Sequence, residues 1–195
     1  MALITVRRAL RSLFACASVL GTPLAGAQPV EYRLDAAHTR VHWEVSHFGT
    51  STSRGRFDDI TGSLQFDRTK NLASVSIVVG TASVNTGVAP LDGIVRRAYL
   101  RSADHPQAWF VASARPVRVD APFEISGELT LRGVSRPVLL RSAGIHCYAH
   151  PLLKREVCGA DLSGEMIRSD FDVTDGLPFI GDRVRLQVQV EGIRD

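Results

Sequence analysis

Between Val184 and Val190 every second residue is apolar: Val184, Leu186, Val188 and Val190 alternate with Arg185, Gln187 and Gln189. Successive side chains of an extended chain point to opposite faces, so this pattern makes a ribbon with one apolar and one polar face. The same period of two recurs upstream. Val41, Trp43, Val45 and His47 share parity, as do Ile60, Gly62, Leu64 and Phe66. So do Val75, Ile77 and Val79, and Phe123, Ile125, Gly127, Leu129 and Leu131. With Phe110–Val117, Val138–Arg141 and Asp161–Ile167 the chain offers about eight strands, the last running to Ile193. Short strands joined by polar turns fold as an antiparallel sandwich or barrel. Closure into a barrel removes the unpaired sheet edges, and eight strands enclose room for one small or elongated ligand.

One stretch departs from this period. Leu91–Leu100 follows Pro90 and places Leu91, Ile94, Val95 and Ala98 on one helical stripe. It predicts a short helix across a sheet edge or a barrel mouth. There is no internal repeat, heptad pattern or charge block.

Residues 1–27 read as a secretory signal peptide: Arg7, Arg8 and Arg11, an apolar run from Leu13 to Leu24, and the small-residue site Ala25-Gly26-Ala27. The apolar run is too short to span a bilayer. The expectation is cleavage after Ala27, export to the periplasm and a single domain over residues 28–195. The formal charge of +3 comes from the three leader arginines, and the remainder carries 20 basic and 20 acidic residues. No basic excess is left for a nucleic-acid footprint.

Removing Cys16 with the leader leaves Cys147 and Cys158. An even pair in an exported chain points to a disulfide, here stapling a strand–loop–strand hairpin at its base. Two cysteines near His146 and His150 are too few soft ligands for a metal centre.

Three segments together resemble the YceI-like family of exported bacterial proteins. The first runs from Tyr32-Arg33-Leu34-Asp35 through His38, Val41, Trp43 and His47 to Gly55-Arg56-Phe57 and Ile60-Thr61-Gly62. The second is Gly127–Val138, a strand, a Gly turn and a strand entered through Arg136-Pro137. The third is Ile167-Arg168-Ser169-Asp170-Phe171. Asn85-Thr86-Gly87, Asp92 and Leu100-Arg101-Ser102 match the family's central helical region. The chain departs from the family pattern at Asp172, where a Gly is expected, and in a shorter, more polar stretch from Arg101 to Trp109.

The resemblance implies an all-β, extended, lipocalin-like antiparallel eight-stranded barrel around an apolar tunnel. It implies a binder of isoprenoid lipid, either an isoprenoid quinone or a polyprenyl phosphate, with no catalytic machinery and no cofactor. The same-parity apolar sets are the candidate lining: Trp43 and Val45; Leu64 and Phe66; Val75, Ile77 and Val79; Ile125, Leu129 and Leu131; Leu186 and Val188. By pattern alone these side chains serve equally as a filled core. Burying about ten isoprenoid carbons at ~0.8 kcal/mol each supplies roughly 8 kcal/mol before association costs.

For a polar head group the candidates are His38, His47, Arg136 and Arg168, since Arg pairs a phosphate or quinone oxygen in bidentate fashion. Each has a structural alternative, in a turn or in an ion pair with Asp35, Asp170 or Asp172. His38, His42 and His47 do not make a metal site on a regular strand, because His42 and His47 face opposite sides. Arg96, Arg97 and Arg101 offer a positive surface to a head group or, transiently, to a membrane, or else form a solvated helix face. No nucleophile elbow, P-loop, zinc-protease or dinucleotide motif is present. A hydrolase or isomerase acting on a small hydrophobic substrate, and an envelope protein-interaction module, are the competing readings. The oligomeric state, monomer or homodimer, is left open.

Overall fold

The structure is a computed structural model that describes residues 29–195. The expected signal peptide and its cleavage site lie outside these residues. Twelve strands form one sheet: β1 (Val30–Leu34), β2 (Arg40–His47), β3 (Ser51–Phe57), β4 (Ile60–Asp67), β5 (Leu72–Gly80), β6 (Val84–Asn85), β7 (Gln107–Pro116), β8 (Phe123–Leu131), β9 (Val134–Ser142), β10 (His146–Ala149), β11 (Glu156–Ile167) and β12 (Ile180–Arg194). Eight of them close a ring in the order β11-β9-β8-β7-β5-β4-β1-β12, sealed by the antiparallel β11–β12 ladder. The eight-stranded antiparallel barrel expected from the sequence is thus present.

β12 closes the ring because, at 15 residues, it is the longest strand and has length enough to pair along both edges. One edge pairs with β11 from Arg183 to Ile193. The other edge pairs with β2, as in Leu186 opposite Trp43, and then with β1, as in Tyr32 opposite Arg194. From β2 the sheet continues through β3 to β6, folding a flap over one end of the barrel. β3 carries no apolar alternation. Its inward position Gly55 leaves space that the indole of Trp43 fills, so that a Cβ there would overlap the ring.

The helical segment forms, with a different face buried from the one expected. α1 (Ala89–Ile94) starts with Pro90 in its first turn and passes into a π-helical turn over Val95–Tyr99, where Leu100 N–H donates to Val95 O at 2.9 Å. The wider turn breaks the 3.6-residue stripe. Ile94 and Ala98 are exposed, and the buried residues are Leu100 and Asp92. The Asp92 carboxylate accepts from both the backbone N–H and the hydroxyl of Thr86, which hold it below the ordinary carboxylate range.

The two departures from the family pattern have structural counterparts. Asp172 ends a 3-10 turn with φ +59° and ψ 18°, the left-handed region that favours glycine and that Asp tolerates better than most residues. The shortened stretch folds tightly on Arg101, whose carbonyl accepts from the N–H groups of Asp104 and His105.

The core falls into stacked clusters. At the disulfide end Tyr32, Phe66, Ala73, Val117 and Cys158 pack together. At the helical end Val84, Leu100, Leu131, Phe171 and Val173 pack beneath the helical turns.

Candidate functional site

Cys147 and Cys158 lie directly opposite each other on β10 and β11 and are joined by a disulfide, with Cα atoms 4.1 Å apart. The staple holds one rim of a cavity of about 70 Å³ inside the barrel. All eight ring strands line it. Leu34 comes from β1, Leu64 and Phe66 from β4, Ala73, Val75 and Ile77 from β5, and Phe110 from β7. Phe123 and Ile125 come from β8, Leu140 from β9, Ala160 and Leu162 from β11, and Val188 and Val190 from β12. Val117 and Ile145, just outside the strands, complete the wall. No lining side chain is charged, and the lining cysteine, Cys158, is in the disulfide.

The candidate lining residues divide between two levels of the barrel. Leu64, Phe66, Val75, Ile77, Ile125 and Val188 face the cavity. Trp43, Val79, Leu129, Leu131 and Leu186 belong instead to the cluster at the helical end, and Val45 is buried opposite Val184. The cavity therefore does not extend along the whole barrel. Within the upper cluster Trp43, Val79, Leu129 and Leu186 remain half-buried, so this level is filled but not sealed. Phe110 and Leu140 sit on strands that parity located. Val117, the last residue of the strand expected over Phe110–Val117, lies just past the end of β7, and Ile145 forms an isolated bridge with Val119, where alternation gives no signal.

The four head-group candidates do not converge. His38 sits in the exposed turn between β1 and β2, with Nδ1 2.8 Å from the Asp35 carboxylate. The hydrogen bond with that carboxylate raises the His38 pKa, and the same contact lowers that of Asp35. Asp35, His38 and Glu191 bring ligand atoms within 4.8 Å of one another, outside the lumen. His47 ends β2 with its ring edge-on to Phe48, centroids 4.8 Å apart.

Arg168 is 4% exposed. Its Nε donates to Gly181 O at 2.8 Å, Nη1 to Val173 O at 2.7 Å and Nη2 to Ile180 O at 2.9 Å. Burial pushes its pKa down from the ordinary value. The guanidinium thus ties the start of β12 and the loop before it to the turn that ends β11. Arg136 pairs with Leu129 and shares the parity of buried Val138 and Leu140, yet is exposed. It lies beyond the three-pair ladder joining β9 to β11, and Nη1 donates only to the neighbouring Ser135 O at 2.9 Å among the described residues. Of the four, Arg136 is the one whose parity faces the lumen while its charge reaches solvent.

A second hollow, open and about 670 Å³, lies on the outer wall among His42, Arg141, Asp161, Gln187 and Gln189. Its lining mixes these polar side chains with Ala143, Leu162 and Val188.

The family described as the YceI-like domain matches residues 32–192. A UPF0312 protein of Ectopseudomonas mendocina is 33% identical over 184 residues, covering 91% of this chain and 96% of that one. Protein YceI of Salmonella arizonae is 32% identical over 185 residues, covering 93% and 95% respectively. Burkholderia cenocepacia BcnA shares the fold with a TM-score of 0.65 at 21% identity, over 81% of this chain and 98% of its own. A polyisoprenoid binding domain from Saccharophagus degradans, implicated in plant cell wall breakdown, gives a TM-score of 0.64 at 16% identity, over 85% and 99%. The solved structures speak for the barrel, and the matched domain and the relatives at about a third identity speak for kinship: this chain belongs to the YceI-like domain family.

Proposed function

We propose that the barrel holds the apolar tail of an isoprenoid lipid, an isoprenoid quinone or a polyprenyl phosphate, and that the protein serves in the periplasm as its carrier or sink. The observation that carries this reading is the lining: eight strands converge on a cavity without one charged side chain. Such a space stays dry and admits apolar guests. The Saccharophagus relative, described as a polyisoprenoid binding domain, supports the same ligand class.

The cavity of about 70 Å³ is roughly half the ~150 Å³ apolar void that takes up benzene. A long tail therefore enters by turning side chains aside, and the half-buried level around Trp43, Leu129 and Leu186 is where the barrel gives way. Arg136, at that level, meets a phosphate or quinone oxygen. Among the described residues no acid, base or nucleophile lines the cavity, which favours binding over a hydrolase or isomerase acting inside it.

The test is lipid extraction from protein purified without detergent, followed by mass spectrometry. A polyprenyl species at close to one per chain is expected. Protein that carries no such lipid, and whose Trp43 fluorescence, read in a Trp109→Phe background, ignores added polyprenyl phosphate and quinone alike, overturns the reading.

A further inference from the structure

The hairpin between the two cysteines holds apolar side chains out in water. Leu152 is 85% exposed, Leu153 47% and Tyr148 48%. This segment is ordered by its own bonds. The disulfide crosses its base, and the ladder continues through Tyr148 opposite Val157 and Ala149 opposite Glu156. His150 N–H donates to Arg155 O at 2.8 Å, and Lys154 N–H donates to His150 O at 3.0 Å. The His150 Nδ1 accepts from the N–H groups of Leu152 and Leu153, both at 3.2 Å. The two leucines are thus fixed at the tip and have no route back to the core. Adjacent leucines on a rigid tip mark a surface that something else covers.

The charge around the tip says what that is. Lys154 and Arg155 are exposed beside the leucines. Glu156, the one acid between the cysteines, accepts from Tyr32 Oη at 2.5 Å and pairs with Arg68 at 2.8 Å. The result is an apolar wedge with a cationic collar. An anionic bilayer matches both parts: its acyl boundary takes the leucines and its phosphates take Lys154 and Arg155. Near the helical turns Arg97 is exposed, but its two arginine neighbours are engaged. Arg101 pairs with Asp104 at 2.9 Å, and the Arg96 Nε donates to Asp92 O at 3.2 Å. The base of the hairpin, Ile145 and Cys158, also lines the cavity.

We propose that the stapled hairpin between Cys147 and Cys158 docks the protein on an anionic phospholipid surface, with Leu152 and Leu153 entering the interface. The docking is independent of what fills the lumen. The test is flotation of the full protein with vesicles of phosphatidylcholine alone and of phosphatidylcholine mixed with phosphatidylglycerol. Binding to the mixed vesicles that weakens with salt is expected. The double variant Leu152→Ser with Leu153→Ser, and the charge reversal Lys154→Glu with Arg155→Glu, each lower it by about tenfold. A Leu152→Trp variant shows a blue-shifted emission on mixed vesicles. Both double variants keep the native circular dichroism and the native content of extractable lipid, which separates this proposal from the fate of the lumen reading. The proposal is overturned by absent vesicle binding, by equal binding to both vesicle types, or by variants that float like the native protein. Self-association lost on serine substitution, without vesicle binding, also overturns it by making the tip a contact between copies.

Discussion

The ring of Phe110 occupies the space that a side chain at Gly127 would need. A Cβ built on Gly127 overlaps Cζ of Phe110 and lies 2.8 Å from the Val111 carbonyl oxygen. Both residues are on the lumen side of neighbouring strands, so the glycine gives Phe110 its place in the cavity wall. Gly127→Ala is expected to push the ring inward, destabilise the fold by about 2 kcal/mol and reduce lipid uptake. Phe110→Leu widens the lumen and raises uptake of the bulkier isoprenoid, at a cost of about 1–2 kcal/mol. Urea denaturation and uptake titrations read both effects. Parallel changes in uptake by the two variants would contradict this account of the wall.

Two arginines that look equivalent in sequence should behave differently. Arg168 is buried with three carbonyl acceptors, which a lysine ammonium cannot reach together. Arg168→Lys is expected to cost about 3 kcal/mol of stability. Arg136 is exposed with a single local acceptor, so Arg136→Ala stays within about 0.5 kcal/mol. On the proposed function it weakens uptake of a polyprenyl phosphate more than that of a neutral polyprenol. Thermal unfolding and uptake measurements on the two variants are sufficient to decide.

Reducing the disulfide reopens a loop with a sequence separation of 11. In the chain-entropy account that costs about 3 kcal/mol. Denaturation midpoints with and without reductant measure it, and the variant carrying Cys147→Ser with Cys158→Ser should match the reduced native protein and ignore reductant.

Asp67 supplies an acid limb to the stability curve. Its carboxylate accepts from the Thr69 hydroxyl at 2.6 Å and from the N–H groups of Thr69 and Lys70, both at 3.0 Å. With the Lys70 ammonium 3.0 Å from its other oxygen, these bonds, Thr69 first and then the Lys70 side chain, lower its pKa from 3.8 to about 2. A depressed carboxylate stabilises the folded state above its unfolded pKa. That contribution fades as the pH falls from about 4 towards 2. Asp67→Asn keeps an acceptor and removes the charge, so its stability should fall less over that window. Native and variant midpoints that decline in step would refute the assignment.

The alternation of β5, β8 and β12 was readable because half-buried strands need one apolar face. Parity could place Val75, Ile77 and Ile125 on the inner side. It could not say whether that side was hollow or filled, since Val188 and Leu186 look alike in sequence and only Val188 faces the cavity. β3 was not readable: Ser53 and Gly55 occupy its inward positions because Trp43 of β2 fills the space across the ladder. The helical stripe misled because a π-turn, which no local residue type announces, changes the phase after Ile94. The hairpin was legible from two cysteines and a turn between them. The role of Arg168 was not, because its acceptors are backbone carbonyls of the following loop and of the start of β12, as many as 13 residues away.

The placement of β12 has a kinetic consequence. Its partners on one edge include Tyr32 and Val41, more than a hundred positions away along the chain. Ring closure is therefore among the most non-local events the polypeptide undergoes. High contact order slows such a step, and until it happens β1–β4 and β2–β3 remain separate ribbons with bare edges. The protein should linger in an open form and then shut cooperatively, with substitutions at Leu186 or Val188 slowing folding more than equally costly ones in the β8–β9 hairpin.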